Sequence, residues 1–210
     1  MSIQFTDLAR ATAADGEISP THLFALRQLE WDAGRIGRTE AEAILSLNRM
    51  LERPSGEWTD FFVETLSAWL LDDTGHCDED AVRWLTDALD AEGGVATMAE
   101  LELLVRVIEG AHGDEASESL SRCALKRIEA TVLTGEGPTR IGGPNSGQPR
   151  ITGAECRLVR RILFASGGEA RMPVAAEFLP RIDRATRDGD NSPEWPELLR
   201  DGTGAGLADA

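Results

Sequence analysis

Two stretches of this chain, Ile18 to Gly34 and Ile151 to Gly167, have the same length and the same apolar skeleton. Leu23, Leu26, Leu29 and Trp31 of the first fall at the offsets of Cys156, Val159, Ile162 and Phe164 of the second. Each copy runs into a glycine turn, Ala33-Gly34-Arg35-Ile36 or Gly167-Gly168-Glu169-Ala170, and then into a second amphipathic stretch. Those stretches end before Ser55-Gly56-Glu57-Trp58 and Ser192-Pro193-Glu194-Trp195. Such self-similarity marks a duplicated supersecondary unit, because a unit too small to bury its own apolar face does so by stacking on a relative. The repeated unit is a helix-turn-helix. A third, worn match has Val82, Leu85 and Leu89 ahead of Gly93, with Val95 in the place of Ile36.

Apolar residues recur at helical spacing almost throughout, most clearly in Trp58, Phe61, Phe62, Thr65, Leu66, Trp69 and Leu70. The same spacing links Leu101, Leu104, Val105 and Ile108, and again Leu120, Ala124, Ile128 and Val132. No alternating segment rich in Val, Ile and Thr competes with them. Helix starts are marked by Thr-x-x-Glu boxes, in which the threonine takes a free amide and the glutamate caps the threonine's own. Thr39 with Glu42, Thr97 with Glu100 and Thr152 with Glu155 fit that pattern, and Ser19-Pro20 and Ser192-Pro193 place proline in a first turn. The expectation is an all-α fold of tandem helical hairpins, about ten helices in all.

Residues 134–150, rich in glycine and proline and without apolar anchors, are expected to be a mobile linker that Arg140 and Arg150 could dock on an acidic face. That places a helical lobe of two hairpin units at 1–133, a third unit at 151–200 and a frayed tail at 201–210. The last unit lacks most of its final helix, since Trp195-Pro196-Glu197-Leu198-Leu199 gives way to glycines. That truncation is expected to expose apolar surface.

The formal charge of −16 opposes binding to nucleic acid or to anionic lipid and favours cations and basic partners. No apolar run approaches the roughly 18–20 residues needed to cross a bilayer, and the first residues show no basic segment followed by an apolar one. A cytoplasmic protein is expected, with no membrane insertion. Cys77, Cys123 and Cys156 form no Cys-x-x-Cys pair and are expected to be reduced and buried.

No catalytic template is met and no cofactor is implied. The histidines, His22, His76 and His112, lie in different units, and Ser146 does not sit in a Gly-x-Ser-x-Gly elbow. Asp15-Gly16-Glu17-Ile18 and the Gly34-to-Glu40 stretch resemble the second half of an EF-hand loop, but Leu29, Trp31 and Ala33 stand where the first oxygen ligands belong. Asp188, Asp190 and Glu194 are the candidate ligands for a divalent cation in an irregular acidic turn, and the same residues suit a plain turn and N-cap. Asp72, Asp73, His76, Cys77, Asp78, Glu79 and Asp80 offer a second set of donors, and a run of acids at a helix start equally suits the helix dipole.

The motif Ala14-Asp15-Gly16-Glu17-Ile18-Ser19, followed by a second glycine turn and an acidic helix, resembles the tellurite-resistance TerB-like helical proteins over about the first fifty residues. Over more of its length the chain is similar to a group of uncharacterised proteins of alphaproteobacteria. That similarity runs through Trp58-Thr59-Asp60-Phe61-Phe62-Val63-Glu64, through Glu100-Leu101-Glu102-Leu103-Leu104-Val105, and through the stretch from Glu129 to Arg140. These resemblances imply a helical fold and bring no activity with them. The expected function is that of a non-enzymatic interaction or stress-related protein with a protein partner or self-association. A divalent-cation module using the acidic turns is the alternative.

Overall fold

The structure, a computed structural model, describes residues 18–33, 36–52, 54–90, 97–112, 115–140, 148–165 and 172–203. All regular structure among them is helical, as the apolar spacing requires. The chain divides into two compact units, Met1–Asp72 and Asp73–Ala210.

The first unit carries α1 (Pro20–Ala33), α2 (Arg38–Met50) and α3 (Gly56–Leu70). Ser19 starts α1 as expected: its hydroxyl accepts the His22 N–H at 3.1 Å, and Pro20 takes the first helical position. The start of α2 differs from the Thr39–Glu42 box. Gly37 is the N-cap, in extended conformation, and its N–H donates to Glu40 at 3.1 Å, while Glu42 pairs with Arg38 at 3.2 Å. The reason lies in packing: this start puts Ile36 and Ala41, both buried, at the two positions of a hydrophobic staple. Ser55 caps α3 through the Trp58 N–H at 3.1 Å.

Helices α2 and α3 pack together and bury Ile44, Leu45 and Leu47 from one side and Trp58, Phe61, Phe62, Leu66 and Leu70 from the other. Within this apolar layer the Trp58 indole N–H donates to Asn48 Oδ1 at 3.0 Å, so the polar edge of the largest side chain is satisfied.

The second unit carries α4 (Glu79–Asp90), α5 (Met98–Gly110), α6 (Glu115–Thr134), α7 (Gly153–Leu163), α8 (Met172–Ala185) and α9 (Trp195–Gly202). Helix α6, with 20 residues, is the hub: it packs on α4, α5, α7 and α8. Helix α5 is buried along Leu101, Leu103, Leu104, Val105, Val107 and Ile108, too wide an apolar surface for a helix with one solvent face. It touches both α6 and α7.

The Thr97–Glu100 and Thr152–Glu155 boxes form as expected. The last helix does not start at Ser192-Pro193. It begins at Trp195 with Pro196 in its first turn, because Ser192 first closes a turn by accepting the Trp195 N–H at 3.0 Å. Helix α9 has only 8 residues, yet it buries Trp195 and Leu198 against α7 and α8. The exposed large apolar side chains among the described residues are Phe24, Met50, Met98 and Leu133, none of them in residues 151–200.

Residues 134–140 and 148–150 belong to the second unit, and α7 packs on α5 and α6. The glycine turns at 34–35 and 166–170, the EF-hand-like 15–17 and the linker centre 141–147 lie outside the described residues.

Candidate functional site

The densest polar constellation gathers at the start of α7. The Thr152 N–H donates to Glu155 Oε2 at 2.7 Å, completing the capping box. The other carboxylate oxygen receives the Thr139 hydroxyl at 2.8 Å and the Arg140 guanidinium at 3.1 Å. Glu155 is fully buried and the Arg140 side chain is only 6% exposed, so a full ion pair lies inside the protein. Arg140 also donates to the Arg150 carbonyl at 2.6 Å, which ties the two described ends of segment 134–150 together, while its Nε has no hydrogen-bond partner among the described residues. This end of the segment is therefore docked on an acidic group through Arg140, the contact that the sequence left open for this linker.

The corner that delivers Thr139 needs glycine. Gly137 has φ +147°, and a Cβ there would lie 3.0 Å from Thr131 Cβ and still closer to the rest of that side chain. Removing one partner of a buried pair leaves the other charge without compensation, so each partner depends on the other.

Next to the knot lies the turn that holds Asp188, Asp190 and Glu194. Its pivot is Asn191, whose amide donates to the Thr186 carbonyl at 2.9 Å and whose Oδ1 accepts the Ile151 N–H at 3.0 Å. The Ser192 N–H returns to the Ile151 carbonyl at 2.8 Å. Asp188, Asp190 and Glu194 are exposed, and Glu194 faces Arg157 at 3.8 Å. Among the described residues no three His, Cys, Asp or Glu side chains converge on a point that could hold a metal ion. The turn's oxygens of known geometry fix α9 to the start of α7.

Comparison with protein families, with curated proteins and with solved structures gives no match for this chain.

The acidic run after α3 serves as a helix start. Asp78 Oδ1 accepts the Ala81 N–H at 2.8 Å, and Asp80 pairs with Arg83 at 2.7 Å. Of the histidines, His22 and His112 fall in different compact units, and the His112 N–H donates to the Gly75 carbonyl at 3.0 Å. Ser146 lies outside the described residues. Cys77, Cys123 and Cys156 are unbridged and buried, as expected. Burial pushes the Cys123 thiol up, and it pushes the Cys156 thiol up to about 11 against the opposing effect of the Ser192 hydroxyl. Thiols held protonated in this way are poor nucleophiles.

Elsewhere the charges of the second unit stitch helices together. Arg161 of α7 reaches Glu102 at 2.8 Å and Glu109 at 2.7 Å on α5. Arg181 of α8 meets Glu129 of α6 at 2.6 Å, and Arg122 of α6 meets Glu177 of α8. Asp90 at the end of α4 takes Lys126 at 3.0 Å and Arg127 at 3.1 Å from α6. The hydrogen bond from Arg161 holds the Glu109 carboxyl below its usual range, and that from Lys126 does the same for Asp90.

An open groove of about 210 Å³ between α4 and α6 is lined by Glu79, Val82, Arg83, Thr86, Ala116 and Ser119. Sequence reasoning missed the burial of Thr139 and Arg140. The available signal was the Thr139-Arg140-Ile141 run inside a segment rich in glycine and proline.

Proposed function

We propose that this chain is an acidic, all-helical interaction protein that works by docking on a protein partner or on itself, and that it is not an enzyme. The observation that carries this reading is Phe24. This residue is 65% exposed on α1, while Leu23 and Leu26 on the same helix are 5% and 0% exposed. Aromatic side chains are enriched at the centres of protein interfaces, because they remove much apolar area from water for little lost rotamer freedom. The charge of −16 favours a basic partner by steering and by complementarity.

A cytoplasmic setting belongs to the same reading and is supported by the three unbridged cysteines; no helix among the described residues is long and apolar enough to cross a membrane. Kinship with the TerB-like helical proteins, carried by the motif from Ala14 to Ser19, is part of the proposal as well.

The test compares wild type with Phe24→Ser, both checked by circular dichroism for an intact fold. Self-association is followed by sedimentation across a concentration series, and partner contact by a photo-crosslinking residue placed next to position 24. The reading expects the substitution to weaken association or to abolish the crosslink. Unchanged association and crosslinking in Phe24→Ser would remove its basis.

A further inference from the structure

We draw no further inference here: the strongest candidate, the buried Arg140 guanidinium beside Glu155 at the start of α7, whose Nε has no hydrogen-bond partner among the described residues, belongs to the polar knot already described, and nothing among those residues shows what would reach it.

Discussion

Thr139 donates a 2.8 Å hydrogen bond to the same Glu155 oxygen that lies 3.1 Å from Arg140, so two consecutive residues of a glycine-rich segment converge on one buried carboxylate oxygen. The other oxygen caps α7 through Thr152. A single side chain thereby starts a helix and anchors the chain that precedes it. Removing the Glu155 carboxylate removes both roles at once.

Glu155→Leu is expected to destabilise the protein by about 3–5 kcal/mol, because it strands the Arg140 charge and removes a cap. Arg140→Leu combined with Glu155→Leu should cost less than the two single changes added together. Urea denaturation of the two single variants and the double variant measures this. Additive costs would mean that the pair is not coupled.

Trp58 and Trp195, buried near the starts of α3 and α9, differ at the indole nitrogen. Trp58 donates to Asn48, whereas the buried Trp195 Nε1 has no partner among the described residues. Replacing each by Phe removes similar volume, so the difference between the variants isolates the N–H. Trp58→Phe is expected to cost roughly 1–3 kcal/mol more than Trp195→Phe, since only the first leaves a buried acceptor without its donor. Equal losses in thermal or urea unfolding would contradict the assignment.

Burial raises the Cys156 thiol in the folded state, so the folded chain keeps that proton at pH values where the unfolded chain releases it. The resulting stability is complete below the ordinary thiol value near 9.0 and is lost as pH rises toward about 11. Wild type should therefore lose up to about 1 kcal/mol per pH unit relative to Cys156→Ala across that window. Parallel stability curves for the two proteins would show that the thiol does not titrate differently on unfolding.

Glu109 shows the opposite sign. Its folded carboxyl is held low, chiefly by the hydrogen bond from Arg161, so its contribution is present above the usual glutamate value and is lost as pH falls through the depressed one. Glu109→Gln is expected to be less stable than wild type at neutral pH, with the gap closing on acidification below about pH 4.3. A gap that persists at low pH would point to lost packing in place of lost charge.

Much of this architecture was legible in the sequence. Helical spacing identified the buried faces from Trp58 to Leu70 and from Leu101 to Ile108, because a helix presents every third or fourth side chain to the same neighbour. Two of the three threonine boxes formed where they were read, since capping is a contact between residues three apart and needs no tertiary partner. The third was displaced to Gly37, where the neighbouring Ile36 found a buried position.

What spacing could not supply were contacts between residues distant in the chain. The division into compact units at Asp72 and Asp73, the hub role of α6 and the ion pairs from Arg161 to Glu102 and Glu109 depend on which helix meets which. The Arg140–Glu155 pair belongs with them. A glycine-rich segment with a charged end reads as solvated chain, and only a carboxylate brought within reach by folding turns it into a buried anchor. The sequence by itself determined helix type, the apolar faces and the helix starts at Ser19, Thr97 and Thr152, which are set by local sterics and short-range hydrogen bonds. Tertiary structure decided which charges are buried and which apolar side chains, Phe24 among them, stay in water, because burial depends on the whole chain and not on any local stretch.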